Sequence, residues 1–198
     1  MESNLNRAVS EFLAPLGPQI WAAFTVAMDH CLRHQDGAWD KRLRATYIWN
    51  QAVAEFTKLT YGQPGIERVD QHGTVFYEVG GRFLLRFKKI GFNGRISRIR
   101  TKHSDVFLGQ GLLFEDRPRC VNILVVYKLN EAETDIETIS FALCNLRNEI
   151  VWRRDIPPPG IMGVAPLPDA PPTGGEGDVA NVVARIRRDA RDEAGLHG

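Results

Sequence analysis

Apolar residues in the first third of the chain recur at helical spacing. Ile20, Phe24, Met28, Cys31 and Leu32 fall on one side of a helix, with Trp21 beside them. Pro18 suits the first turn of that helix, where a missing N–H costs nothing, and Asp36-Gly37 suits its end. A second stripe, Ala45, Trp49, Ala52, Val53, Phe56 and Leu59, predicts a helix from about Trp39 to Tyr61. Gly62 and Pro64-Gly65 stop it. The period then changes from helical to alternating. Ile66–Val69, Thr74–Val79 and Arg82–Lys89 read as an antiparallel meander, with Gly80-Gly81 as a tight hairpin turn. Thr101–Leu113 is ambiguous, with a short helix from Ser104 as one reading. Val121–Leu129, Ile136–Cys144 and Glu149–Ile156 read as a second meander.

These elements predict an α+β fold: two N-terminal helices packed on a mainly antiparallel sheet of about six strands. The expected core is Trp21, Phe24, Met28, Trp49, Phe56, Phe83, Leu85, Phe87, Ile123, Val125, Phe141, Leu143 and Trp152. After Ile156 the composition shifts to Pro and Gly, which cannot support a core. Residues 1–156 are therefore expected to form the globular domain, 157–178 a flexible linker, and 179–198 an amphipathic helix or a disordered tail. Val179, Val182, Val183 and Ile186 would be the apolar, partner-binding stripe of that terminal helix.

Charge singles out one stretch. Net charge is only +1, yet Arg82, Arg86, Lys88, Lys89, Arg95, Arg98, Arg100 and Lys102 crowd together. No acidic residue lies between Glu78 and Asp105. On an alternating strand, Phe83, Leu85 and Phe87 would enter the core while Arg82, Leu84, Arg86 and Lys88 face the other way. Cations spaced along a strand and loop match a phosphate backbone, so this set is the candidate nucleic-acid-binding surface. Phe87 and Phe92 are candidate stacking surfaces. The plainer alternatives are an edge strand guarded by charge and a surface for an acidic protein.

Other chemistry is thinly represented. Cys31, Cys120 and Cys144 lie in apolar runs without metal-site spacing, which suggests buried thiols in a reducing compartment. His30 and His34 are one helical turn apart, but no further donor stands near them in sequence. No metal site or cofactor is expected, and no P-loop, GxGxxG, GxSxG or HExxH motif occurs. Glu67, Asp70 and Glu78 precede Lys88 on adjacent strands, which leaves a metal-dependent nuclease open. His72 and His103 flank the basic strand and leave a metal-free ribonuclease open. Catalytic residues are not identified, and whether the protein is an enzyme stays undecided. The N-terminus lacks the pattern of a secretory signal, and no membrane span is expected, so the expected location is cytoplasmic.

The piece FLLRFKKI, the basic segment after it, Thr101, Gln110, the VVYKLN strand and the closing IVWRRDI together resemble an uncharacterised group of small bacterial proteins. Members of that group are encoded beside helix-turn-helix proteins of Xre type with ImmA/IrrE-like domains. Such neighbourhoods belong to toxin–antitoxin and phage-defence modules. The resemblance spans roughly residues 20–156. It departs at Arg100-Thr101, where the group carries Pro-Thr. It implies an effector (toxin) restrained by a cognate helix-turn-helix antitoxin or regulator, acting on nucleic acid or a translation component. The alternative is a non-catalytic adaptor that binds protein or nucleic acid. The resemblance implies no reaction.

Overall fold

The structure is a computed structural model and describes residues 3–35, 39–71, 73–96, 101–110, 113, 120–147 and 149–160. Helix α1 (Ser3–Ala8) runs through a π-helical turn (Val9–Leu13) and a 3-10 turn (Ala14–Leu16) into α2 (Gly17–His34). The changes of helical pitch fall next to Pro15 and Pro18, whose rings interrupt the regular hydrogen-bond ladder. Gly17 sits where a Cβ would meet Ile156 Cγ2 at 2.9 Å, so only glycine lets the helix approach the end of the last strand this closely. Helix α3 (Lys41–Thr60) is capped by Asp40, whose Oδ1 accepts the Leu43 N–H at 2.6 Å.

Six strands follow: β1 (Ile66–Gln71), β2 (Thr74–Val79), β3 (Phe83–Lys89), β4 (Val121–Leu129), β5 (Ile136–Cys144) and β6 (Ile150–Asp155). They form one sheet in the order β1-β2-β3-β4-β5-β6. Every neighbouring pair is antiparallel except β3 and β4, which run parallel. The two predicted meanders are thus present, joined in one mixed sheet. The parallel step requires a crossover, and that crossover carries helix α4 (Lys102–Leu108). Gly80 and Gly81 both adopt positive φ in the β2–β3 hairpin, and Arg82 N–H closes it onto Val79 O at 3.1 Å. Two positive-φ residues are what the tightest right-twisting hairpin turn needs.

The sheet has a core on each face. The larger one lies under the N-terminal helices and contains Phe24, Phe56, Tyr77, Leu85, Phe87, Ile123, Tyr127, Phe141 and Trp152. Two of its aromatic side chains anchor their polar atoms in the surrounding backbone. Trp21 Nε1 donates to Ile156 O at 2.8 Å, and Tyr77 Oη lies 2.9 Å from Val53 O and 2.8 Å from Thr57 Oγ1. Of the expected core residues, Trp49 is the one only partly buried, and its Nε1 donates to Phe87 O at 3.2 Å. The smaller core lies on the opposite face, where Phe76, Leu84, Leu124, Val126, Ala142 and Cys144 meet Phe107 and Leu108 of α4, with Ile90 and Ile96. This second layer changes the meaning of the cation-bearing face. It is roofed by a helix rather than open.

No helix among the described residues is long and apolar enough to cross a membrane. The expected linker beyond Gly160 and the expected terminal stripe of Val179, Val182, Val183 and Ile186 lie outside the described residues.

Candidate anion pocket on the second face of the sheet

Strand β3 sorts its cations by parity. Phe83, Leu85 and Phe87 face the larger core, and Phe87 packs against Phe24 and Phe56 with ring centroids 5.3 and 5.2 Å apart. Phe87 is therefore committed to packing and offers no stacking surface, whereas Phe92 is exposed. Leu84, Arg86 and Lys88 face the other way, in register with Asn122, Leu124 and Val126 of β4.

Arg86 and Lys88 line a narrow pocket between the sheet and α4, completed by Ile96, Ser104, Phe107, Leu108 and Leu124. It is shallow and half open, with enclosed room for about one water molecule. Among the described residues neither cation has a hydrogen-bond or ion-pair partner. The Arg86 guanidinium lies 5.8 Å from the centroid of the Phe76 ring, and its remaining surroundings are mainly apolar. Burial lowers the pKa of Arg86. Burial, reinforced by repulsion from Arg86, lowers Lys88 from 10.5 to about 8. Two like charges on one strand face, both half-desolvated, carry a free-energy cost that a bound anion would relieve.

Helix α4 is held over the pocket by buried polar ties. Thr101 Oγ1 accepts the Ser104 N–H at 3.1 Å and caps the helix start. At its other end, the side chain of Gln110 brackets the Asn122 backbone: Nε2 donates to Asn122 O and Oε1 accepts the Asn122 N–H, each at 2.8 Å. Asn122 Nδ2 then donates to Phe107 O at 3.0 Å. Gln110 holds positive φ, which orients its side chain for this bracket. Thr101 and Gln110 therefore mark the two ends of the roof.

The other predicted cations divide. Lys89, on the opposite parity, faces the larger core and bonds Glu133 Oε1 at 2.8 Å. Glu133 is buried, and Arg44 Nη1 approaches its other carboxylate oxygen at 3.6 Å. Lys89 is thus an internal counter-ion, and Arg44 in the first turn of α3 shares its anion. Arg82 is exposed with its guanidinium 4.7 Å from the centroid of the Phe12 ring. Arg95, one residue before Ile96 of the pocket, and Lys102, two before Ser104, are exposed. Arg98 and Arg100 lie outside the described residues.

The candidate nuclease carboxylates do not converge. Glu67 and Glu78 are paired across β1 and β2 on the pocket's face of the sheet, but Asp70 points to the other face and binds Arg68 through two hydrogen bonds, at 2.8 and 3.0 Å. No group of three or more His, Cys, Asp or Glu able to hold a metal exists among the described residues. His30 and His34 stack with centroids 5.5 Å apart, and His34 Nδ1 lies 2.8 Å from His30 O, so the pair is an ordinary helix end. His72 and the side chain of His103 lie outside the described residues. Cys31 and Cys144 are buried, Cys120 is half-buried, and burial pushes the Cys144 thiol up to about 12. A thiol so shifted is unreactive at neutral pH.

Comparison with protein-family models, with curated proteins and with solved structures finds no match.

Proposed function

We propose that the protein is the effector of a bacterial toxin–antitoxin or phage-defence module and engages nucleic acid through the Arg86–Lys88 pocket and its basic surroundings. The observation that carries the binding part is the pair itself: two cations on one strand face, half-buried, lining a pocket, with no carboxylate partner among the described residues. Cations retained for stability are usually paired. Arg95 and Lys102 extend positive charge into solvent near the pocket walls, as a surface tracking several phosphates requires. Arg82 adds a further exposed cation beyond the β2–β3 hairpin. Lys89 takes no part, because its charge is spent on Glu133. The module part rests on the resemblance of the FLLRFKKI, Thr101 and Gln110 pattern.

A non-catalytic adaptor is the second reading. It is favoured by the pocket lining, which among the described residues offers no carboxylate to act as a general base. The two readings share the surface and differ in the outcome of expression.

The test is growth of a bacterial host during induction of the full chain, alone and with its chromosomal neighbour. Arrest alone and recovery with the neighbour supports the effector. Unchanged growth at good soluble expression removes it and leaves the adaptor. Nucleic-acid affinity measured across a salt series tests the surface in both cases. If Arg86 neutralises one phosphate, Arg86→Gln should lower the slope of log affinity against log salt by about 0.7 to 0.9. An unchanged slope would reject the surface.

A further inference from the structure

We infer that the exposed Phe92 ring is a stacking platform for an unpaired base, so that the nucleic acid bound by this protein is single-stranded. The inference rests on the reading of the protein as a nucleic-acid binder and names the class of strand.

Phe92 stands in a short loop that the sequence closes tightly. Ile90 and Ile96 form an antiparallel bridge, and both side chains are buried in the smaller core. Between them, Gly91 N–H donates to Arg95 O at 2.9 Å, and Gly94 N–H donates to Gly91 O at 3.0 Å. Asn93 Oδ1 accepts the Arg95 N–H at 3.0 Å, and a Cβ on Gly91 would meet that same oxygen at 3.0 Å. Gly94 adopts a φ of 72°, which a side chain would oppose. The loop backbone is fixed before any ligand arrives, so little ordering entropy opposes a contact with the ring.

The ring is 55% exposed. A scattered apolar side chain on a surface is ordinary. Phe92 differs in being held out by an anchored loop and in being bordered by cations. Lys41 Nζ, from the first turn of α3, lies 5.9 Å from the ring centroid, at the outer limit of a cation–π contact. Arg42, next to Lys41, and Arg95, in the loop, are also exposed. A flat apolar face with cations at its border suits a nucleotide: the base covers the ring while its phosphates meet the charged groups. Asp40, the acidic neighbour of Lys41, gives its Oδ1 to the Leu43 N–H as the helix cap.

The loop has a fixed relation to the other cations. Arg44, in the same turn of α3 as Lys41, and Lys89, at the end of β3, both face Glu133. The start of α3, the end of β3 and the Phe92 loop therefore meet at one end of the sheet. Ile96, which closes the loop, also lines the pocket beside Arg86 and Lys88. Phe92 follows Lys88 by four residues, at most about 14 Å along an extended chain, so one short strand reaches both. Inside a duplex each base has its faces covered by its neighbours, whereas an unpaired strand leaves base faces free for the ring. Such stacking tolerates any sequence, because every base has a π-face.

The experiment is fluorescence anisotropy of the full chain with labelled DNA and RNA of three kinds: a single strand, the same strand with abasic units in place of every nucleoside, and the duplex. The single strand is expected to bind at least about fivefold tighter than its abasic counterpart, the effect of one stacked base, and tighter than the duplex. Phe92→Ala should erase the difference between base-bearing and abasic strands, and Phe92→Trp should keep it. Phe92→Leu, which retains apolar bulk without a flat face, should behave as the alanine variant and serves if that variant fails to fold; thermal melting checks each. Equal affinity for base-bearing and abasic strands, a difference that survives both Phe92→Ala and Phe92→Leu, or tighter binding of the duplex overturns the inference and leaves the nucleic-acid surface intact. No binding of any of the three overturns both readings.

Discussion

Lys88 and Lys89 are consecutive on β3 and turn to opposite faces of the sheet. Lys89 Nζ lies 2.8 Å from the buried carboxylate of Glu133, while Lys88 lines the α4 pocket without a carboxylate partner among the described residues. The pleat thus separates a structural cation from an uncompensated one, and the two should respond oppositely to removal.

Lys88→Met should stabilise the fold, by about 1 kcal/mol, because a desolvated charge is exchanged for an apolar chain against Phe107, Leu108 and Leu124. Lys89→Met should destabilise it by about 2 to 3 kcal/mol, since Glu133 is deprived of its closest counter-ion and keeps only Arg44 at 3.6 Å. Urea denaturation of both variants measures the contrast. Destabilisation by Lys88→Met as large as that by Lys89→Met would show that Lys88 is a structural residue.

The contrast also explains what sequence could and could not convey. Helix and strand periods were plain in the residues, as was the parity of Phe83, Leu85 and Phe87 against Arg86 and Lys88. The second core was hidden. Leu84 lies among cations on its face, and α4, seven residues long, is too short to show a periodic stripe. Without that helix the basic face reads as open, and the pocket cannot be seen. Local pattern also carries no information about partners far along the chain. Nothing near Lys89 announces Glu133, because their pairing depends on the β4–β5 turn, where Glu133 adopts positive φ and is buried. The parallel β3–β4 step was equally silent, since strand direction follows from the crossover and not from residue alternation.

Gln110→Ala should cost about 2 to 3 kcal/mol. It strips both partners from the buried Asn122 N–H and carbonyl, and it places a β-carbon residue without a compensating interaction at positive φ. Because the bracket pins α4, the same variant should raise hydrogen exchange in Phe107 and Leu108 before the rest of the sheet. Exchange that rises uniformly would mean that α4 is not an independent roof.

Tyr77→Phe should cost about 1 kcal/mol. Its hydroxyl lies 2.9 Å from Val53 O and 2.8 Å from Thr57 Oγ1, joining β2 to α3. The ring remains packed edge-on against Phe56, with centroids 4.8 Å apart, so only the polar link is removed. A melting temperature unchanged within error would show that the helix layer does not depend on it.

The pH dependence of stability isolates Lys88. An unfolded lysine titrates near 10.5, and Lys88 in the folded chain titrates at about 8. Between these values the unfolded chain binds more protons than the folded one. Stability from this group therefore rises as pH increases from about 8 towards 10.5, and the gain is lost as pH falls through 8. Cys31 and Cys144 act in the opposite sense, since burial raises both thiols above 9.0 and stability falls once unfolded cysteine ionises. Tyr77 and Tyr127, both raised above 10.0, do so at still higher pH. The cysteine and tyrosine contributions cancel in a difference between wild type and Lys88→Gln. Urea denaturation at pH 7.5 and pH 9 should show the wild type gaining on the variant over that interval. A bound anion that holds Lys88 charged would raise its pKa towards the unfolded value and shrink this gain. A difference that is flat with pH would mean that Lys88 is solvated and carries no desolvation cost.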